Sequence, residues 1–173
     1  DKLFPAGISD ERTSGLHIGN VMPDVIIVYL GVNDWANGVP VDCVKDESTI
    51  QECYRSFSSA YEDMLVKLKR NYPQSEIWCC KLCKTFISSK PSFKFPRCYK
   101  GADVEKYNDA IGNAARRHGC KTIPLPVPYD SLDGTHPNAA GMDTIAMMVV
   151  RQMDKNAAEK ESVLDSFSCS LFF

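Results

Sequence analysis

The chain has 173 residues, 44% of them hydrophobic and 24% charged, with a formal net charge of −2. That is enough for one domain with a sizeable core, and the charge balance offers no footprint for a nucleic-acid partner. No apolar run approaches the roughly 20 residues that a membrane-spanning helix requires.

Residues 1–22 read as irregular, with one helical turn at Ser9-Asp10-Glu11-Arg12 and a locally satisfied His17. Asp24-Val-Ile-Ile-Val-Tyr-Leu-Gly-Val-Asn33-Asp34 follows. A short β-branched apolar run bounded by turn residues predicts a strand buried on both faces. It stops at Gly31 and puts Asn33 at its carboxyl end, where open parallel sheets bind ligands. Trp35 to Glu47 then reads as a loop. Ser48 or Thr49 is expected to cap a long helix whose stripe is Tyr54, Phe57, Tyr61, Met64 or Leu65, and Leu68, at spacings of three and four. Lys67, Lys69 and Arg70 suit its carboxyl end, and Pro73 ends it.

Glu76 to Leu82 predicts a second strand. Lys84 to Lys100 is aromatic and carries Lys84, Lys90, Lys94, Arg97 and Lys100 without one acidic residue. It reads either as a solvated insertion or as a wall of a substrate pocket. Ala102 to His118 predicts a helix with Val104, Tyr107, Ile111 and Ala114 inward, His118 as a helix-end cation and Gly119 as its stop. Cys120 to Val127 predicts a short strand interrupted by prolines. Asp133-Gly-Thr-His136-Pro137 leads into a last helix with a stripe of Met142, Ile145, Val149 and Met153, flanked by Met147 and Met148. The tail, 156–173, is left open between covering a sheet edge and disorder. The alternation of strand and helix predicts a parallel sheet with helices on its faces, one domain over 1–173 with a core of about 20–155.

Eight cysteines are present: Cys43, Cys53, Cys79, Cys80, Cys83, Cys98, Cys120 and Cys169. Several lie inside apolar segments, so buried thiols in a reduced, cytoplasmic protein are expected rather than staples. Cys80-x-x-Cys83 lacks a second ligand pair, so no metal and no cofactor is expected.

Two polar groups therefore stand at strand ends. A carboxylate three residues before a histidine can hold one imidazole nitrogen and leave the other as a general base, as Asp133 and His136 permit. An asparagine amide such as that of Asn33 can donate to a developing oxyanion. Gly31-Val-Asn33-Asp34 after an apolar strand, with Asp133-Gly-Thr-His136-Pro137 before the last helix, resembles the SGNH hydrolases (GDSL-type esterases and lipases) over about residues 20–155. The resemblance implies a flavodoxin-like three-layer α/β/α sandwich around a five-stranded parallel sheet. It implies hydrolysis of esters of lipids, acylated sugars or small acyl compounds without metal or cofactor. By the family pattern Asn33 is an oxyanion-hole donor, His136 the catalytic base and Asp133 its orienting acid.

The departure from that pattern is the nucleophile. The family's Gly-Asp-Ser is absent from the chain; Ser9 and Ser14 lack a strand before them, and the context of Gly7 suits no oxyanion role. The expectation is an N-terminally incomplete domain, inactive alone, with an apolar strand edge at Asp24–Gly31 open to self-association. The alternative is a flavodoxin-like binding or scaffold domain that never carried a nucleophile.

Overall fold

The computed structural model describes residues 10–17, 19, 21–42, 56–96, 98–99 and 102–169, with side chains described as far as residue 158 except at positions 12, 98 and 99. Gly7, Ser9, Cys43, Ser48, Thr49, Cys53, Tyr54, Arg97 and Lys100, as well as the side chains of Cys98, Tyr99 and Cys169, lie outside that description. In chain order the elements are α1 (Asp10–Ser14), β1 (Val25–Val28), α2 (Val32–Asn37), α3 (Phe57–Asn71), β2 (Glu76–Cys80) and β3 (Thr85–Phe86). There follow β4 (Cys98–Tyr99), β5 (Ala102–Asp103), α4 (Val104–Arg117), β6 (Lys121–Ile123), β7 (Tyr129–Asp130) and α5 (Ala139–Cys169). The fold is mixed α/β with parallel strand pairing, as expected. No described helix is long and apolar enough to cross a membrane.

The chain forms two compact units, one of residues 1–82 with 94–122 and one of 83–93 with 123–173. In the first, β1 pairs with β2 in parallel, Val25 opposite Glu76 through Val28 opposite Cys79. The sheet order is β1-β2-β6, three strands among the described residues where the family pattern leads one to expect five. Among the described residues β1 lies at an edge of this sheet. Its burial corrects one expectation, that the strand is covered on both faces: Ile26 and Val28 face the core while Val25 and Ile27 are 37% and 47% exposed. The strand covered on both faces is β2, where Ile77, Trp78, Cys79 and Cys80 are all buried. Both segments are apolar, so composition did not separate a strand covered on one face from a strand covered on both.

Helices α3 and α4 pack on each other, and α4 packs on β2. The predicted stripes hold: Phe57, Tyr61, Met64, Leu65 and Leu68 of α3 and Val104, Tyr107, Ile111 and Ala114 of α4 are buried in one apolar cluster. Its aromatic centre is Phe57, with ring centroids 5.5 Å from Tyr61 and 5.0 Å from Tyr107. The described α3 begins later than expected. Its cap is Ser56, whose hydroxyl accepts from Ser59 N–H. A serine at that position satisfies one of the amides left without an intrahelical partner.

In the second unit β3 pairs in parallel with β7, and α5 packs on β7. The segment 84–100 is thus not one loop, since Thr85–Phe86 belongs to a strand pair. The expected inward stripe of α5 holds at Val149, which is buried, and at Ile145 and Met153, which are half-buried, but not at Met142. Met142 is 57% exposed, whereas Met148 and Val149 are buried. The reason is Gly141, where an added Cβ would stand 2.1 Å from the Asp130 carbonyl oxygen. The helix approaches β7 through its glycine, which a hydrophobic stripe cannot register. Helix α5 also continues to Cys169, so most of the tail is helical backbone.

Candidate active site

Asn33 belongs to the first unit, Asp133 and His136 to the second. Asn33 is not in a loop but in the first turn of α2, a six-residue helix begun by Gly31. Gly31 has φ 119°, a left-handed conformation, and a Cβ there would meet the Phe57 ring at 2.9 Å. Both the turn angle and the close approach therefore demand glycine. The other end of the turn is held by Trp35, which is buried, donates Nε1–H to the Ala102 carbonyl at 3.1 Å and stacks on Phe95 at 5.1 Å. Between these anchors the Asn33 carbonyl accepts from Asn37 Nδ2 at 2.8 Å. The Asn33 side-chain amide bonds to no described residue, which leaves its N–H groups free to donate. Burial pushes the neighbouring Asp34 carboxyl up, against the opposing pull of a hydrogen bond from its own backbone.

The second turn runs from β7 to α5. Ser131 N–H extends the β3–β7 pairing by donating to the Phe86 carbonyl at 2.9 Å, and its hydroxyl donates to the same carbonyl at 2.7 Å. That hydroxyl also accepts from Gly134 N–H at 3.1 Å. Thr85 Oγ1 donates to the Gly134 carbonyl at 2.6 Å, and Tyr129 OH donates to the Thr135 carbonyl at 2.8 Å. Leu132 N–H closes the loop on the His136 carbonyl at 2.8 Å. Gly134 has φ 98°, and a Cβ there would lie 2.6 Å from the Phe93 ring.

Within this frame Asp133 uses both carboxylate oxygens. Oδ1 accepts from Thr135 N–H and His136 N–H, each at 2.9 Å, and Oδ2 stands 2.8 Å from His136 Nδ1. The His136 backbone N–H, then its ring, then the Thr135 N–H hold the Asp133 carboxyl down at about 2. An ionised carboxylate only accepts, so Nδ1 carries the proton and Nε2 of the neutral ring keeps a free lone pair. The His136 ring is 69% exposed and open to a reacting group. The expected Asp133–His136 pairing is thus present in geometry.

Other candidates fall away on contact. Ser14 Oγ donates to the Asp10 carbonyl at 2.6 Å, a bond internal to α1. His17 Nδ1 lies 3.2 Å from the Ser14 carbonyl, and His118 caps α4. Cys80 and Cys83 are free thiols that burial pushes up to about 11, the range of inert rather than reactive cysteines. Reasoning from sequence missed Ser131, Thr85, Tyr129 and Phe93, which build the frame. The Asp133-Gly134 dipeptide was the one available signal, since it marks a turn needing positive φ.

A model of the GDSL-like Lipase/Acylhydrolase family matches residues 3–144. A crystal structure from Lactobacillus plantarum is 23% identical, with 76% of this chain and 67% of that one covered at a TM-score of 0.60. A candidate GDSL-like lipase from Bacteroides uniformis is 25% identical over 77% of this chain and 53% of its own, at 0.54. A candidate lipase from Chitinophaga pinensis is 17% identical over 86% of this chain and 80% of its own, at 0.56. No curated protein matches. The chain thus spans 53% to 67% of the length of the first two structures. The strand-end asparagine, the Asp-x-x-His turn and the family match agree, and the chain belongs to the GDSL-like Lipase/Acylhydrolase family.

Proposed function

We propose that this chain carries the base, the orienting acid and one oxyanion donor of a serine esterase acting on carboxylic esters. His136 is the general base, Asp133 holds its ring, and Asn33 donates to the oxyanion of the tetrahedral intermediate. The observation that carries this reading is the pair of grips on Asp133, which presets the histidine tautomer before any substrate arrives. The exposed lysines Lys84, Lys90 and Lys94, with Phe86 and Phe93, support an anionic or sugar-bearing ester as substrate.

No Gly-Asp-Ser occurs in the 173 residues. The nucleophile is therefore assigned to sequence outside them, and the 173 residues alone are expected to be inactive. The outer face of β1 and its edge, unpaired among the described residues, with Val25, Ile27, Met22 and Leu30 exposed, suit pairing with another strand. The test compares p-nitrophenyl acetate hydrolysis by the 173 residues with that by the same chain joined to its natural upstream sequence. The longer protein should be active and lose roughly 10^6-fold on His136→Ala, and light scattering should show the shorter one self-associating. Activity of the 173 residues that disappears with His136→Ala would overturn the placement of the nucleophile. An inactive longer protein that still binds acylated sugars would favour a binding domain.

A further inference from the structure

A cavity of about 420 Å³ opens in the first unit beside the start of β6. Lys81, Asp109, Asn113, Arg116, Cys120 and Thr122 line it. Two cations thus face one carboxylate. Arg116 is steadied by Asn113 Oδ1 at 3.0 Å, and the Lys81 side chain runs over Gly112. A third cation stands by the residue before Cys120: Lys69 Nζ lies 3.9 Å from where a Gly119 Cβ would be. In the neighbouring strand β2 the thiol of Cys79 is wholly buried, near enough to Cys120 for each to shift the other's acidity. Cys120 Sγ also reaches the His118 carbonyl at 3.7 Å.

The two thiols are unequal. The neighbouring Cys79 thiol pulls Cys120 below the ordinary thiol range, with Lys69 assisting against partial burial. Cys79 is pushed strongly up by Cys120 and by burial. Half-open access, nearby cations and a neighbouring thiol are the surroundings of a reactive cysteine.

We propose that Cys120 is a redox-modification site that reacts, through the cavity, with a small disulfide bearing carboxylates, and that Cys79 is its resolving thiol. Lys81 and Arg116 pair with the carboxylates. The Cys120 thiolate attacks one sulfur of the incoming disulfide; that S–S bond breaks, and one small thiolate leaves and takes up a proton. Cys79 then attacks Cys120 Sγ, the bond from Cys120 to the small sulfur breaks, and the Cys79 proton passes to the departing second small thiolate. Two protein thiols are oxidised to one disulfide, and one small disulfide is reduced to two thiols.

The reduced chain is incubated with glutathione disulfide or, at equal concentration, with the cationic disulfide cystamine, and followed by intact mass and peptide mapping. Cys120 should be the first cysteine modified, about tenfold faster by glutathione disulfide than by cystamine, as the local field dictates. The end product should have lost two hydrogens and yield a linked Cys79–Cys120 peptide pair, read in the unaltered chain. Cys79→Ala should halt at the mixed disulfide, and Lys81→Gln with Arg116→Gln should abolish the preference for glutathione disulfide. Equal rates for the two reagents, earlier reaction at other cysteines, or a stable mixed disulfide with no Cys79–Cys120 link would each overturn the assignment.

Discussion

The turn at Gly31–Asp34 and the turn at Asp130–Pro137 are held by opposite means. The first is set by bulk: Gly31 against the Phe57 ring, Trp35 buried and stacked on Phe95. The second is set by hydrogen bonds on an exposed surface, from Thr85, Tyr129, Ser131 and Asp133 itself. Packing fixes where a backbone goes but leaves the Asn33 amide at liberty. A polar frame fixes the atom that matters, because hydrogen bonds constrain direction as well as distance. A donor to a transient oxyanion tolerates the first kind of support; a base that must present one tautomer requires the second.

Breaking the polar frame should cost most. In an active form of the protein, Asp133→Asn should lower kcat about 10^4-fold. The two backbone N–H groups will keep the Asn oxygen, so its NH2 faces Nδ1 and drives the ring proton to Nε2. Asn33→Ala should cost only about 10²–10³-fold, the worth of one oxyanion donor. Equal losses would show that the two turns depend on their polar groups alike. The next effect concerns stability. Gly31→Ala and Gly134→Ala each force a side chain into positive φ at about 1–3 kcal/mol, read by urea denaturation. Adding Phe93→Ala should relieve the steric part of the Gly134→Ala cost, because that ring is the obstacle 2.6 Å away. Full recovery of stability would show that φ strain contributes nothing.

The smallest effect is a titration. The Asp133 carboxyl, followed by NMR, should show its midpoint at about 2, against an ordinary 3.8. A carboxyl depressed on folding contributes stability that is complete above its unfolded pKa and is lost as pH falls from about 4 through about 2. In His136→Ala the midpoint should rise only part of the way, since the backbone N–H groups of residues 135 and 136 remain. A return to 3.8 would mean that the imidazole alone holds the carboxylate.

What was legible in the chain follows from how strongly each element repeats itself. Helices α3 and α4 announced their buried faces because many residues vote at spacings of three and four. The Asp133-x-x-His136 pairing was legible because both partners sit in one short turn. Strands β3, β4, β5 and β7 have two residues each, too few for any period, so 84–100 read as a loop. Helix α2 was missed for the same reason; its support, Phe57 and Phe95, is distant in sequence. Met142 was misplaced on the buried stripe of α5 because the helix meets β7 there through Gly141, which adds no hydrophobic signal at all. The one-sided burial of β1 was not legible because what covers a face is a property of the packed sheet, not of the strand.

One feature of the Asp130–Pro137 turn acts on time rather than on energy. Its amides at 132, 134, 135 and 136 are all bound within the turn, two of them to the Asp133 carboxylate. An exposed loop would ordinarily sample many arrangements between one encounter with a substrate and the next. Here the bound amides hold the backbone in one arrangement, and only the bond between His136 Nδ1 and Asp133 must break for the imidazole to turn away.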